Sequence, residues 1–220
     1  MQGAVHRRPG SIPPRNRRLT VPGLRSAGVV LAAGGSRRMG EPKQLLPLHG
    51  RPLLEAVLAA ACDSGLDEVV VVLGAHADEI RRTVGLGRAR VVVNPDHLQG
   101  LSTSLKAGVA SLDSRVDRAM VILGDQPDIS ADLVNRVLDT QAESGLPAAA
   151  LSFDGLLHPP VVLARERWGD IAALEGDTGL RALIRAHPEL VAPVEADRPG
   201  GHPIDIDTRE DFERLAADPA

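Results

Sequence analysis

The stretch Val29–Leu54 reads VVLAAGGSRRMGEPKQLLPLHGRPLL, and its reading decides the fold. The apolar run Ala27 to Ala33 has the length and composition of a buried strand. It stops at Gly34-Gly35, passes into a loop with cations at Arg37, Arg38 and Lys43, and resumes at Pro52 as an apolar stretch, Leu53 to Ala61, that suits a helix. Strand, glycine turn, cationic loop and helix in that order make a cradle for a polyphosphate. Glycines let backbone N–H groups approach an anion closely, and the fixed cations neutralise its charge. Two other cradles are excluded by spacing. No glycine is followed by four residues and Gly-Lys-Ser/Thr, and Gly34, Gly35 and Gly40 do not fit G-x-G-x-x-G. Taken alone, the motif also fits a glycine-rich surface turn with exposed arginines.

Outward from this stretch the chain alternates strand and helix, which implies βαβ units and a mostly parallel sheet. Glu68–Leu73 (EVVVVL), Arg90–Val93 (RVVV), Arg118–Leu123 (RAMVIL) and Pro147–Phe153 read as strands. Asp78–Val84, Ala131–Ala142 behind the N-cap Ser130, and Leu180–Ala186 read as helices. Ser102 is expected to cap a further helix to Ala110, and Thr208 with Asp211 forms an approximate capping box for Arg209–Ala217. Residues 26–220 are therefore expected to form one α/β domain, three α/β/α layers around a Rossmann-like sheet. Residues 1–25, rich in arginine and proline and without hydrophobic periodicity, read as a disordered arm. A basic docking arm and a start site placed too early are the alternatives, and no apolar segment makes the arm a secretory signal.

Composition narrows the function. Hydrophobic residues are 43% and charged residues 25% of 220, ordinary for a globular domain. Trp168, Phe153 and Phe212 are the only aromatics, so the core must be aliphatic and there is no base-stacking platform. The arm holds six arginines and no acid; taking those charges from the total of −4 leaves −10 for residues 26–220. Nucleic acid is a poor partner for such a body. Cys62 is the only cysteine, which excludes an intrachain disulfide and fits a reducing compartment. With no run of roughly 18 apolar residues, a cytoplasmic protein off the membrane is expected. Lys43 and Lys106 are the only lysines, which suggests positions that need a point charge rather than a planar fork.

The edge where parallel strands end is where doubly wound sheets bind ligands. Gly124-Asp125-Gln126-Pro127 arrives there from the strand Arg118–Leu123. An aspartate so placed needs a cation or donors, and magnesium on a triphosphate supplies a cation. The alternative role, a turn or helix cap, is weakened because Ser130 already caps the helix Ala131–Ala142. Asp205 and Asp207 alternate along an extended segment and face one way. Either completes a metal pair with Asp125; Asp205 is preferred because Asp207 lies nearer the helix start.

The strings LAAG-x-S-x-R-M-G-x-x-K and L-L-P-x-x-G-x-P-L-L, from Leu31 onward, resemble the MobA-like and MocA-like nucleotidyltransferases of molybdenum cofactor activation. The resemblance runs from about Ala27 to Leu215. It implies that Leu31, Ala32, Ala33, Gly34, Gly35, Ser36, Arg38, Lys43 and Gly124 contact the nucleotide, with Arg38, Lys43 and Asp125 catalytic. It implies that Asn94, Gly100, Ser104 and Gly108, within NPDHLQGLSTSLKAG, line the nucleotide pocket. Mg²⁺ on Asp125 and Asp205, with Asp207 as substitute, is the implied cofactor. On the acceptor side the family pattern is glycine, two residues, glycine, one residue, proline; here Gly155 and Pro160 fit and His158 replaces the second glycine. His158 then either touches substrate or closes a tight turn. Gly176-Asp177-Thr178-Gly179 resembles the family's G-D-x-G near the second substrate, though Asp177 or Thr178 as N-cap explains the segment too. MocA-like cytidylyltransferases read LAAG where MobA-like guanylyltransferases read LAGG, so Ala33 points to CTP rather than another NTP. The implied acceptor is a molybdopterin, and the implied recipient of the product a molybdoenzyme of the xanthine dehydrogenase class. A sugar-1-phosphate acceptor and a non-catalytic cofactor carrier are the rivals.

Overall fold

Four-residue to nine-residue aliphatic runs separated by glycine turns build a sheet buried on both faces. The computed structural model describes residues 23–36, 39–196, 205–206 and 208–217. Arg38, Asp207 and the arm to residue 22 lie outside the described residues. Strand β1 (Ser26–Ala32) leads through the small antiparallel pair β2 (Pro47–Leu48) and β3 (Arg51–Pro52) into helix α1 (Leu53–Asp63). There follow β4 (Glu68–Leu73), α2 (Ala77–Thr83), β5 (Arg90–Val93), α3 (Leu101–Ala110), β6 (Arg118–Leu123) and α4 (Ala131–Ser144). Then come β7 (Ala148–Phe153), β8 (Leu156–Ala164), α5 (Trp168–Ala172), α6 (Leu180–Ala186), β9 (Val191–Glu195) and α7 (Arg209–Ala217).

The seven-stranded sheet has the order β5-β4-β1-β6-β8-β7-β9. β1 lies parallel between β4 and β6, β4 parallel to β5, and β7 parallel to β9; only β8 runs against its neighbours. Side chains alternate across β1. Val30 and Ala32 join α1, α2 and α4 residues such as Leu58, Ile80 and Val134 on one face. Val29 and Leu31 join α3, α5 and α6 residues such as Leu105, Ile171 and Ile184 on the other. The result is the three-layer α/β/α domain with a mostly parallel sheet. Among the described residues no helix is long and apolar enough to cross a membrane.

Four local expectations are corrected: His158 as a turn residue, Ser102 as a cap, Asp177 or Thr178 as a cap, and Arg25 as part of the arm. Leu156–Ala164 is a strand, although Pro159-Pro160 argues against one, because the β7–β8 ladder shifts register between Ala150 and Leu151, where the prolines need no donor. The turn before it is Asp154-Gly155, both at positive φ, the two-residue connection that suits a twisted hairpin. His158 therefore sits within a strand and closes no turn. Helix α3 starts at Leu101 behind Gly100, with no side-chain cap, and Ser102 is buried inside its first turn. Helix α6 likewise starts behind Gly179 rather than behind an Asp177 or Thr178 cap. Arg25, assigned to the arm, is already joined to the body: its N–H donates to Asp117 Oδ2 at 2.7 Å. Thr208 and Asp211 do form the reciprocal cap, with Thr208 N–H donating to Asp211 Oδ2 at 2.9 Å and Asp211 N–H to Thr208 Oγ1 at 3.2 Å.

Candidate active site

Parallel β1 and β6 end side by side, so the loops that follow them form the walls of one cleft of about 290 Å³. Leu31, Ala32, Ala33, Leu101 and Leu123 make its apolar part; Lys43, Asp125, Ser104, His97 and Asp177 make its polar part, with Gly34, Gly124 and Gln44 between them. A side chain added at Gly124 would meet Ala32 Cβ and Leu31 O at 2.9 Å, so glycine is what lets the two strand ends close together. Above Gly34 the space is open: a Cβ there meets nothing within 4 Å.

Lys43 and Asp125, far apart in sequence, meet in the cleft. Lys43 Nζ donates to Asp125 Oδ2 at 2.5 Å and to Ile206 O at 3.0 Å. The side chains are 16% and 20% exposed, so the pair is shielded yet open to a ligand. Burial pushes the Asp125 carboxyl above the usual carboxylate range; Lys43 opposes that, and the negative charge of Asp205 adds to it. Ser36, at positive φ, accepts from Lys43 N–H through Oγ at 2.9 Å and so ties the glycine loop to the lysine. Asp205 is held close by: Gln126 Nε2 donates to its Oδ1 at 2.6 Å, and Ile206 N–H donates to Asp125 O at 3.2 Å.

Not every expected residue is in the cleft wall. Ser104 lines it, whereas Asn94 stands behind, donating through Nδ2 to Ser104 Oγ at 3.0 Å and Thr103 Oγ1 at 2.8 Å. Gly100 packs on the turn before α6: a Cβ on it would fall 2.2 Å from Gly176 C. Gly108 packs α3 on the sheet, where a Cβ would fall 2.4 Å from Val29 Cγ1. Both glycines shape the pocket without lining it. Gly35 is exposed and outside the cleft lining, its Cβ position 3.5 Å from Ala75. Asp177 lines the cleft and accepts from Leu101 N–H at 3.3 Å, so its carboxylate serves the start of α3 rather than of α6. His158, buried in β8, lies 3.1 Å from Arg181 Nη2 through Nδ1.

Four participants were not read from the sequence. Gln44, buried, donates through Nε2 to Ala32 O at 3.1 Å and Gly34 O at 2.9 Å, pinning the strand end to the glycine turn. Gln126 is fully buried beside the carboxylates. His97 lines the cleft over Gly74, and Arg181 reaches Asp205 Oδ2 at 3.6 Å. The two glutamines carried one signal: each directly follows a charged residue of a motif, Lys43 or Asp125.

A parallel-sheet cleft with a lysine–aspartate pair, an apolar wall and a second carboxylate is built for a nucleotide. The family model described as the MobA-like NTP transferase domain matches residues 28–191. The chain belongs to this family. It is a nucleotidyltransferase, and the match spans β1 through the start of β9, every strand of the sheet. Nicotine blue oxidoreductase of Paenarthrobacter nicotinovorans is 36% identical over 196 residues, which cover 86% of this chain and 95% of that protein. The crystal structure of a homologue of Mycobacterium tuberculosis Rv0371c, from Mycobacterium sp. strain JC1, superimposes with a TM-score of 0.79 at 38% identity, covering 88% of this chain and 97% of that one. Rv0371c of M. tuberculosis H37Rv in complex with manganese gives a TM-score of 0.75 at 30% identity, covering 87% and 98%.

Proposed function

We propose that the cleft transfers a cytidylyl group from CTP to the phosphate of a molybdopterin-type acceptor in a Mg²⁺-dependent reaction. An acceptor phosphate oxygen attacks the α-phosphorus, the bond from that phosphorus to the bridging oxygen of the β-phosphate breaks, and pyrophosphate leaves. The observation that carries this reading is the Lys43–Asp125 pair set in a cleft that is also lined by the apolar residues Leu31, Ala32, Ala33, Leu101 and Leu123. Such a transfer needs positioning and charge neutralisation rather than a protein nucleophile. The apolar part suits a base and ribose, the charged part a triphosphate. Lys43 Nζ, already held toward the carboxylates, is placed to take phosphate oxygens, and Arg38 is assigned to the triphosphate on the motif alone.

The residues fit a divalent metal. Asp125 and Asp205 offer hard carboxylate oxygens whose mutual repulsion a cation would relieve, and Gln126 Oε1 beside them is buried without a partner. Among the described residues no cluster of three or more His, Cys, Asp or Glu side chains is grouped. Mg²⁺ takes one or two carboxylates together with phosphates and water; Asp205 is assigned in preference to Asp207. Bound there, the ion would neutralise charge on the attacking and leaving oxygens. The manganese complex of the 30% identical Rv0371c supports a divalent ion in this fold. For the base, Ala33 lines the cleft and its methyl narrows it, which favours a pyrimidine by about 1–3 kcal/mol. The product would serve a molybdoenzyme of the xanthine dehydrogenase class, and residues 26–220 would form the catalytic domain.

The test is pyrophosphate release with Mg²⁺ and molybdopterin, offering CTP, GTP, UTP and ATP separately. Release with CTP alone is expected. Release with GTP instead overturns the base assignment and keeps the chemistry. Tight CTP binding without release under any condition removes molybdopterin as the acceptor.

A further inference from the structure

A second cation meets the second carboxylate. Arg181, in the first turn of α6 and four residues after the cleft-lining Asp177, places Nη2 3.6 Å from Asp205 Oδ2. The same Nη2 lies 3.1 Å from His158 Nδ1. A guanidinium has donors only, so Nδ1 of His158 must accept. The imidazole so placed aims the arginine.

This arrangement is poorly explained by charge pairing with Asp205 alone. An arginine that served only a carboxylate would meet it with two parallel short bonds; here one oxygen is approached at 3.6 Å, and the other is taken by Gln126 at 2.6 Å. Arg181 Nε is buried and without a partner among the described residues. A buried N–H left without an acceptor is unfavourable, which a structure tolerates where a ligand supplies one. Nε and Nη2 together form one edge of the guanidinium fork, spaced for two oxygens of a phosphate. His158 is also where this chain departs from the glycine of the family pattern, and a glycine could not hold Arg181.

We infer that Arg181, aimed by His158, is the subsite for the acceptor's phosphate monoester, as Lys43 is for the triphosphate. This deepens the proposed function and rests on it. A divalent ion held by Asp125 and Asp205 would share the carboxylate charge that engages Lys43 and Arg181, leaving the two cations for the two phosphates that must meet. His158 is a positioning residue.

The probe is methyl phosphate, followed by ³¹P NMR titration of the full chain saturated with Mg²⁺ and α,β-methylene-CTP, which occupies the nucleotide side without reacting. Saturable binding by the wild type is expected. Arg181→Gln should weaken it by about tenfold or more and Arg181→Lys by less, while affinity for the nucleotide analogue stays within about twofold. His158→Gly, with Arg181 intact, should weaken methyl phosphate alone; thermal melts confirm that each variant is folded. The same titration without nucleotide, with Lys43→Gln alongside, keeps the test independent of the cytidine assignment. If the analogue fails to bind the wild type, that assignment falls, and a loss on Arg181→Gln that exceeds the loss on Lys43→Gln still supports the subsite. Equal methyl phosphate binding by wild type and Arg181→Gln overturns it. So does a loss of nucleotide affinity as large as the loss for methyl phosphate.

Discussion

The two ends of the parallel sheet use the same polar side chains to opposite purposes. At the N-terminal end, buried Arg118 donates to Ser26 Oγ at 2.7 Å, Leu138 O at 2.7 Å and Gln141 Oε1 at 2.9 Å. Ser26 N–H in turn donates to Asp67 Oδ2 at 2.8 Å, joining β1 to the turn before β4. Burial lowers the arginine's pKa, and Asp139, Asp67 and Asp117 nearby hold it charged. This is a lock between β1, β6 and α4. At the C-terminal end, Gln44, Gln126 and Arg181 each keep one buried atom without a partner; Arg25 Nε is the one such atom among the described residues at the other end. Partners within the chain close one end, and the other is left to be completed by something that binds. Stability should therefore reside in the first end and activity in the second, and each can be broken separately.

The largest effect is expected at Asp125. Asp125→Asn removes the charge that Lys43 answers and that the proposed metal would answer, and turnover should fall by about 10²–10³. Its effect on stability has the opposite sign. The folded-state pKa of Asp125 lies above its ordinary value of 3.8, mainly through burial, so the folded protein binds this proton more tightly than the unfolded chain does. Stability from this group is greatest below 3.8, declines as pH rises through the raised value, and is level above it. The metal-free Asn variant should lack that decline and melt at pH 7–8 no lower than the wild type. A variant that keeps its turnover, or melts well below the wild type, would defeat the assignment of Asp125.

Arg118→Met reverses the pattern. It leaves Ser26 Oγ and Gln141 Oε1 short of a donor inside the protein and should cost about 2–4 kcal/mol in urea unfolding. Turnover per folded molecule should hold, since Arg118 lies at the end of β6 opposite to Asp125. A drop in kcat larger than the folded fraction explains would mean that the ends are coupled. Gly108→Ala probes the span between them: its Cβ would fall 2.4 Å from Val29 Cγ1 and 2.9 Å from Val72 Cγ2. Lifting α3 off the sheet should cost about 1–3 kcal/mol. It should also raise the nucleotide KM while kcat holds, because α3 carries Leu101 and Ser104 of the cleft wall.

Much of this division was legible in the sequence, and the illegible part has a physical pattern. Strands Glu68–Leu73 and Arg118–Leu123 were readable because a strand buried on both faces is a continuous aliphatic run, and the half-exposed edge strand Arg90–Val93 was readable from its three consecutive valines. Lys43 and Asp125 were readable because glycine turns and strand ends mark the ligand edge of such a sheet. β8 was obscured by Pro159-Pro160, since a register shift that excuses prolines exists only once the partner strand is in place. Arg118 looked like the polar first residue of a strand; its role depends on Gln141, which lies on another element. Gln44, Gln126 and Arg181 escaped for the same reason: glutamine and arginine are mostly surface residues, and only the tertiary fold gives these their partners. Local pattern reports what a segment buries and where it turns. It does not report which distant side chain will arrive to meet it.

Asp177 sharpens the comparison with the smallest expected effect. It lies at the open end and lines the cleft, yet its carboxylate faces the uncapped N-terminus of α3, accepting from Leu101 N–H at 3.3 Å, while Gly176 O accepts from Ser102 N–H at 3.0 Å. A carboxylate at a helix N-terminus contributes about 0.3–1 kcal/mol, and the long, exposed bond here belongs in that range. If Asp177 is a borrowed cap, Asp177→Ala lowers stability by that amount in thermal melts and Asp177→Asn, which keeps the acceptor, by less. Both should leave the acceptor KM close to the wild-type value, in contrast to Arg181→Gln. A large rise in acceptor KM for Asp177→Asn, with melting unchanged, would instead make Asp177 part of the acceptor subsite beside Arg181. The open end would then hold an anion and a cation aimed at one ligand, and that ligand would have to carry a hydrogen-bond donor as well as a phosphate.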